Sequence, residues 1–85
     1  MIVNPKISWS YLEDKIVIMN PKEETNYVLN ETSALIFEKL HEGLSVKELK
    51  QYLVSIYGAE NTEVIYSDTD KLINEMIEIG LLITQ

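Results

Sequence analysis

The sequence contains no cysteine, which excludes a disulfide, a thiolate metal site and a cysteine nucleophile. Long hydrophobic runs are also absent. The longest uninterrupted one, Ile16 to Met19, is far shorter than the roughly 18 residues of a membrane-spanning helix. The first six residues do not resemble a signal peptide. These absences predict a soluble, cytoplasmic protein that does not bind membranes.

Basic residues are scarce. The chain carries 7 lysine and arginine residues against 14 acidic ones, which gives a formal net charge of −7. Each contact with a nucleic-acid phosphate needs a lysine or arginine, and the few present here are not clustered. The charge therefore predicts no nucleic-acid partner and favours a basic or neutral one.

The length and composition predict one globular domain over residues 1–85. Hydrophobic residues make up 46% of the sequence and charged residues 25%, an ordinary balance for a folded protein. A chain of 85 residues buries only ~60–65% of its unfolded surface, enough for one core. Little volume remains for an enclosed enzyme cavity.

The first thirty residues predict a three-stranded antiparallel meander. Alternating apolar residues at Ile7, Trp9 and Tyr11 have the period of two of a half-buried strand. The run from Ile16 to Met19 predicts a strand covered on both faces. Two turns and a third strand complete the meander: a turn at Glu13-Asp14, a turn at Asn20–Glu24 and a strand at Thr25–Leu29.

The rest of the sequence predicts three helices. The first spans Glu31–Glu42 behind an Asn30 N-cap. The second follows a capping box of Ser45 and Glu48. The third is predicted to begin at Ser67–Asp70. Three glycines stand where the three helices should end, in positions that favour a positive φ: Gly43, Gly58 and Gly80.

The third helix has a wider apolar arc than a small sheet requires, and this arc consists of Leu72, Ile73, Met76, Ile77 and Ile79. Part of the arc is predicted to stay available for binding. The alternative is that a small domain uses all five residues in its core. For Ala59–Tyr66 a short strand, an early helical turn and a surface loop all remain open. The apolar tail Leu81–Ile83 is predicted to dock on the sheet or the core.

No constellation for catalysis or metal binding is visible. His41 stands alone near the end of the first helix, where a cation stabilises the helix dipole, so its predicted role is structural. The paired acidic residues, such as Asp68 and Asp70, suit the first turn of a helix and match no calcium loop. We therefore expect no catalytic residue, no metal and no cofactor.

The strand Thr25–Leu29 is weakly apolar and carries no lysine that would guard an exposed edge. Such a strand is a poor edge unless another chain pairs with it. Tyr27 within it has two interpretations: it lines a binding surface, or it packs in the core.

Several motifs together resemble the PqqD-like proteins, also called RiPP recognition elements. The segment Tyr27–Glu38 resembles the family's Y-x-L-N-x-T-[AG]-x-x-[IL]-[WF]-E signature, and Ser45–Leu49 its T-V-x-E-[IL]. Tyr57-Gly58 is similar to a conserved Y-G pair in that family's pattern. The segment Asp68–Leu82 matches its D-x3-[FL]-[LI]-x2-[LM]-x3-G-L-[LI] ending. Phe37 replaces a frequent tryptophan, a swap that a core tolerates.

The resemblance covers about Ile7 to Ile83 and implies a winged helix-turn-helix-like α+β fold, with three strands followed by three helices. It also implies that a leader peptide adds as an antiparallel strand beside the third strand and is clamped by the third helix. The family's partner enzymes include radical SAM proteins and leader peptidases, and its products include lasso peptides. Carried over, the implied peptide-binding residues are Thr25, Asn26, Tyr27, Val28, Leu29, Leu72, Ile73, Met76 and Ile77.

Two other functions compete with peptide binding. A winged-helix DNA-binding regulator would share the architecture, but its candidate recognition helix has only Lys47 and Lys50 as basic residues. A small enzyme would need a nucleophile and base that are not visible. The sequence leaves open whether the chain forms a homodimer through its open strand.

Overall fold

The computed structural model describes residues 1–20 and 24–84. The predicted order of a three-stranded sheet followed by three helices is confirmed, with a short strand added at each end of the chain. The elements are β1 (Ile2–Val3), β2 (Ser8–Leu12), β3 (Lys15–Asn20), β4 (Thr25–Leu29), α1 (Glu31–His41), α2 (Val46–Tyr57), a 3₁₀ turn (Ala59–Asn61), α3 (Thr62–Glu78) and β5 (Leu82–Ile83).

The meander is antiparallel throughout, in the order β2-β3-β4. Glu13, in the turn between β2 and β3, has a φ of 59°. The turn predicted at Asn20–Glu24 includes residues 21–23, which lie outside the described residues. The predicted third strand is β4, because β1 precedes the meander.

The sheet buries one face only. Ile16 and Ile18 are 1% and 0% exposed, whereas Met19 is 54% exposed and Val17 is half-buried. The prediction that Ile16–Met19 is covered on both faces is therefore wrong. An antiparallel sheet commonly packs one face on the core and leaves the other to solvent, and here the core lies on a single side.

Helix α1 is the centre of the core. It approaches β1, β3, β4, α2 and α3, and both Ile36 and Phe37 are completely buried. Leu49 and Leu53 of α2 pack against the same cluster. The apolar stripe of α2 leaves the core at its end, since Ile56 is 47% exposed.

The two ends of the chain pair with each other. β1 and β5 form a separate antiparallel pair in which Val3 lies opposite Leu82. The Asn4 side chain donates a hydrogen bond of 2.8 Å to the Gly80 carbonyl oxygen. Leu81 and Leu82 are buried, so the predicted docking of the apolar tail on the core is confirmed.

The helix ends follow local rules, with two exceptions. The first is minor: Asn30 stands at the N-cap of α1 as predicted, but its side chain makes no capping hydrogen bond. The Ser45 hydroxyl accepts a hydrogen bond from the Glu48 N–H, and the Glu48 carboxylate accepts one from the Ser45 N–H, which confirms the predicted capping box. All three glycines have a positive φ at a helix end, which confirms their predicted place.

The second exception is the start of α3. This helix begins at Thr62, so the prediction that it opens at Ser67–Asp70 is wrong. Of the three alternatives for the preceding segment, the early helical turn is correct. The Thr69 hydroxyl donates to the Ile65 carbonyl oxygen at 2.6 Å, and Asp70 forms an ion pair of 2.7 Å with Lys50. These side chains, typical of helix starts, are used here inside the helix.

Candidate functional site

β4 is an edge strand with one free side. Its register with β3 runs from Ile16 opposite Leu29 to Asn20 opposite Thr25. On its other side no strand pairs with it among residues 1–20 and 24–84. The C-terminal strand pairs with β1 instead. The backbone N–H and C=O groups on the free side of β4 are therefore available to another chain.

The backbones of β4 and α3 do not approach each other closely. In the described part of the chain, no Cα atom of α3 lies within 8 Å of one in β4, although α1 approaches both elements. A strand added to β4 would lie about 4.8 Å from it, on the side away from β3. We call the space between β4 and residues Asp68–Ile77 of α3, with α1 as its floor, the β4–α3 groove.

Two adjoining cavities lie beside α3 at one end of this groove. They share Thr32, Asp68 and Leu72. The first has a volume of about 190 Å³, and its remaining wall is mainly apolar. The second, of about 400 Å³, is bordered by charged side chains. The further lining residues are Leu53, Tyr57, Ile65 and Thr69 in the first cavity, and Lys71 and Glu75 in the second.

The direction of α3 relative to β4 follows from both ends of the groove. Thr32, three residues after Leu29, lines the cavities together with Leu72. At the opposite end, Asn20, which pairs with Thr25, has its side-chain nitrogen 3.9 Å from where a Cβ on Gly80 would lie. Helix α3 therefore runs from the Leu29 end of β4 towards its Thr25 end. A strand added antiparallel to β4 would run in the same direction as α3.

The predicted binding residues lie on opposite sides of the groove but differ in exposure. Asn26 and Val28 are exposed. Tyr27, Leu72 and Ile77 are half-buried, and Leu29, Ile73 and Met76 are buried in the core. Thr25 is the first residue of β4. Tyr27 packs against the core cluster at the same time as it lies in the edge strand, so its two interpretations are compatible. The apolar arc of α3 is likewise divided, with Ile73 and Met76 in the core and Leu72 and Ile77 beside the groove.

The sequence did not predict the contribution of α2 to the groove. Leu53 and Tyr57 line the apolar cavity together with Ile65 near the start of α3. The available signal was the apolar stripe of α2, which continues to Tyr57, a residue that is 41% exposed. The cavity forms where three helices meet, and their relative placement is not encoded in any one of them.

Charge at the groove is mixed. Asp68 and Glu75 flank Lys71 on the exposed side of α3. A DNA-binding regulator would use α2, which has two basic residues. One of them, Lys50, forms an ion pair of 2.7 Å with Asp70. This leaves Lys47 as the exposed cation of α2, which is too little for a phosphate surface.

Other candidate chemistry remains isolated. His41 is exposed, and its ring packs edge-on against Trp9 at 5.1 Å between centroids. Within residues 1–20 and 24–84, no group of three histidine, cysteine or acidic side chains is placed to hold a metal ion. None of the helices in that part of the chain has the length and apolar character needed to cross a membrane.

Comparison with known proteins places these features in a family. A family profile described as "Coenzyme PQQ synthesis protein D (PqqD)" matches residues 15–82. No curated protein sequence matches significantly.

Two solved structures match the fold. The structure described as "TbiB1 in Complex with the TbiA(beta) Leader Peptide" has a TM-score of 0.92 at 16% identity and covers 100% of this chain and 98% of its own. The second, "Lasso peptide synthetase B1 complexed with the leader peptide", has a TM-score of 0.85 at 27% identity, with 96% and 95% of the chains covered. Both were solved with a leader peptide bound.

Proposed function

This chain belongs to the PqqD family, and we propose that it binds the leader of a ribosomally made precursor peptide in the β4–α3 groove and delivers that peptide to a separate modifying enzyme. The observation that carries the proposal is the edge of β4, which no strand of the described residues pairs with on its outer side, together with an apolar cavity beside α3 near the Leu29 end of that strand. The leader peptides bound to both similar structures support the same class of ligand here.

The main chain of the leader pairs with β4 in this proposal. An extended peptide that adds to a sheet edge gains main-chain hydrogen bonds that do not depend on its sequence. The five residues of β4 provide this edge, from Thr25 to Leu29. We propose an antiparallel addition, so that the leader runs alongside α3 from the Leu29 end to the Thr25 end.

Specificity comes from side chains that reach α3. The leader residues next to the Leu29 end lie closest to the apolar cavity of about 190 Å³. This volume and its lining suit one large aliphatic or aromatic side chain, with Asp68 and Thr32 at its polar border. A leader with only small polar residues at this point would lose the contact and bind more weakly.

The nine proposed site residues have different roles. Thr25–Leu29 offer their backbone, and Leu72 and Ile77 offer half-buried side chains to the leader. Ile73 and Met76 are 4% and 3% exposed, so they hold α3 in place from the core side. Ile73 and Met76 therefore affect the groove indirectly, because they fix the position of α3.

We propose that the whole chain acts as one peptide-binding domain, without catalysis, metal or cofactor. Its site of action is the cytoplasm, where precursor peptides are synthesised. The enzyme that receives the peptide is of the radical SAM or leader peptidase type. A homodimer that formed through β4 would occupy the same edge as the leader, so dimerisation and leader binding would compete.

An NMR titration tests the site, with synthetic leader peptides taken from the short reading frames that neighbour the gene of this protein. We expect shifts in the amide signals of Thr25–Leu29 and Leu72–Ile77, and none on the outer surface of α2, such as at Gln51. Shifts confined to residues outside the groove would refute the assignment.

Strand addition itself is tested by methylating single backbone nitrogens of the leader. Along a strand, successive N–H groups point to opposite sides, so only every second one faces β4. We expect binding to weaken at alternate positions and to be insensitive at those between. Uniform sensitivity, or none, would exclude addition to β4 while leaving open a purely side-chain mode of binding.

A further inference from the structure

Asn4, the residue after β1, is hydrogen-bonded to the C-terminal end of α3. Its side-chain amide donates to the Gly80 carbonyl oxygen at 2.8 Å, and its backbone N–H donates to the Leu81 carbonyl oxygen at 2.9 Å. Its side-chain oxygen also accepts a hydrogen bond of 3.0 Å from the Lys6 N–H, in the segment that leads into β2. One half-buried residue therefore joins the two ends of the chain. We call these three hydrogen bonds the Asn4 clasp.

The Asn4 clasp lies at the Thr25 end of the β4–α3 groove. A Cβ on Gly80 would lie 3.9 Å from the side-chain nitrogen of Asn20, which pairs with Thr25. Ile77, one of the proposed leader contacts, accepts a hydrogen bond of 3.1 Å from the Gly80 N–H. A shift of Gly80 would therefore also move a residue that borders the groove.

The two ends of the groove are held in different ways. At the Leu29 end, α1 follows β4 almost directly, and α1 and α3 line the same cavity. At the Thr25 end, the chain turns after α3 at Gly80, where φ is 82°, and in the described part of the chain the backbone of α3 does not approach that of β4 closely. The Asn4 side chain reaches this turn from 76 positions away. The position of α3 at this end therefore depends on a long-range hydrogen bond.

The spacing of β4 and α3 matters because an added leader strand has to fit both elements. Its main chain would lie about 4.8 Å from β4, while the side chains on one of its faces reach α3. If α3 fits the leader in only a fraction of the molecules, the apparent affinity falls by that fraction. A groove that is held in one position before binding avoids this loss, because α3 does not have to be ordered when the leader binds.

We infer that Asn4 is a positioning residue for leader binding, which holds the C-terminal end of α3 at the distance from β4 that the leader needs and does not touch the leader itself. This inference rests on the proposed function. In the antiparallel addition proposed above, the C-terminal part of the leader lies at the Thr25 end. Loss of the Asn4 clasp therefore weakens the binding of that part and leaves the part near the Leu29 end unaffected.

The experiment measures, by calorimetry, the affinity of the full chain for two synthetic peptides. The first is the leader peptide that shifts the β4 signals in the NMR titration. The second is the same peptide shortened at its C-terminal end, so that nothing pairs with Thr25 and Asn26. Asn4→Asp is the main variant, because it is nearly isosteric, still accepts from the Lys6 N–H and replaces the donor to Gly80 by an acceptor.

Asn74→Asp is the matched control. It adds the same charge to α3, but Asn74 is exposed and lies about 200° around the helix from Leu72, away from the groove. Asn4→Ala is a second variant, which removes the side-chain hydrogen bonds and adds no charge. Hydrogen exchange of the Ile79–Leu81 amides in the leader-free protein measures whether the end of α3 has become less ordered.

We expect Asn4→Asp to weaken the binding of the full leader about 5-fold and that of the shortened leader less than about 2-fold. Asn4→Ala should change both affinities in the same direction. The Ile79–Leu81 amides should exchange faster in both Asn4 variants, and the Asn74→Asp control should behave as the unmodified protein.

Three results would overturn the inference. Equal losses for the two peptides would mean that Asn4 contributes only to general stability. Full leader affinity in both Asn4 variants would show that the clasp does not set the groove, and an equal loss in Asn74→Asp would assign the effect to charge. If no synthetic leader binds the unmodified protein, the proposed function itself fails and this inference with it, which is a distinct outcome because it is seen before any variant is made.

Discussion

β2 and β4 are the two edges of one sheet, and each is five residues long. Both pair with β3 on one side only. The aromatic side chains of β2 close onto α1: the Trp9 ring lies 5.2 Å from that of Phe37, and the Tyr11 hydroxyl donates to Glu38 at 2.7 Å. In the part of the chain that the structure describes, no ring contact of this kind joins β4 to α3.

The cavities beside the two edges differ in chemistry as well. The one near β2, of about 270 Å³, has a border of four carboxylates from Glu13, Asp14, Glu31 and Glu38. The cavity beside α3, which includes Thr32 three residues after the end of β4, has a mainly apolar wall. A free edge supplies hydrogen bonds, but affinity for a particular peptide also needs pockets for its side chains. On this comparison the contacts of β2 contribute to stability, and β4 is the edge to which the proposed function assigns the leader.

Trp9→Ala is the change with the largest expected effect. It removes the ring contacts of Trp9 with α1 and should lower the free energy of unfolding by about 3 kcal/mol, the lower end for a large aromatic because Trp9 is only half-buried. Urea denaturation followed by circular dichroism measures the loss. Leader affinity of the folded variant should be unchanged.

Val28→Ala on the other edge is its control, because Val28 is 61% exposed and the expected loss is within about 0.5 kcal/mol. Equal losses for both substitutions would break the distinction between a structural and a binding edge.

Leu72→Ala tests the β4 side. Leu72 lines both cavities of the groove, so its truncation should weaken leader binding about 10-fold, or about 1.4 kcal/mol. Calorimetry with the leader measures this. Leu35→Ala is the matched control: Leu35 is also half-buried but borders the cavity near β2. A loss of leader affinity in the control alone would move the site to the other edge.

Ser45→Ala changes a position at neither edge. Loss of the capping box at the start of α2 should reduce stability by about 1 kcal/mol and leave leader affinity unchanged. Thermal unfolding measures the loss, and Ser45→Thr, which keeps the hydroxyl, should restore most of it. If Ser45→Ala weakened leader binding, stability and binding would be coupled throughout the molecule and not separated by edge.

The smallest effect concerns Tyr11. Its hydrogen bond to Glu38 raises the pKa of the Tyr11 hydroxyl above the ordinary value of 10.0. A raised pKa in the folded state means that this bond stabilises the protein below pH 10.0 and that the contribution is lost as the pH rises through the raised pKa.

Absorbance titration of the unmodified protein minus Tyr11→Phe isolates this group. The difference should titrate above pH 10.0, and Glu38→Gln should lower its midpoint. A midpoint that does not respond to Glu38→Gln would show that the β2 edge is not tied to α1 through this bond.

Much of the fold was predictable because it is governed by local rules. The Ser45–Glu48 capping box and the glycine at the end of each helix depend on neighbours in sequence, and both predictions are confirmed. The start of α3 was wrong for the same reason: Ser67–Asp70 has the composition of a helix start, but its side chains bond within the helix and to α2. Contacts across elements overrode the local preference.

The candidate site was only half accessible from the sequence. The two segments that border the groove were predicted, since the edge strand and the apolar helix each have their own pattern. The part played by Leu53 and Tyr57 was not, because the cavity exists only where α1, α2 and α3 meet.

The sequence by itself determined the order of strands and helices and the composition of the two segments that face each other. Only the tertiary structure decided that the C-terminal strand does not pair with β4. That outcome depends on Leu82 pairing with Val3, 79 positions away, and on α1, which approaches both β4 and α3. Backbone propensity acts over a few residues, whereas the pairing of chain ends and the spacing of packed elements are set by the burial of the whole core.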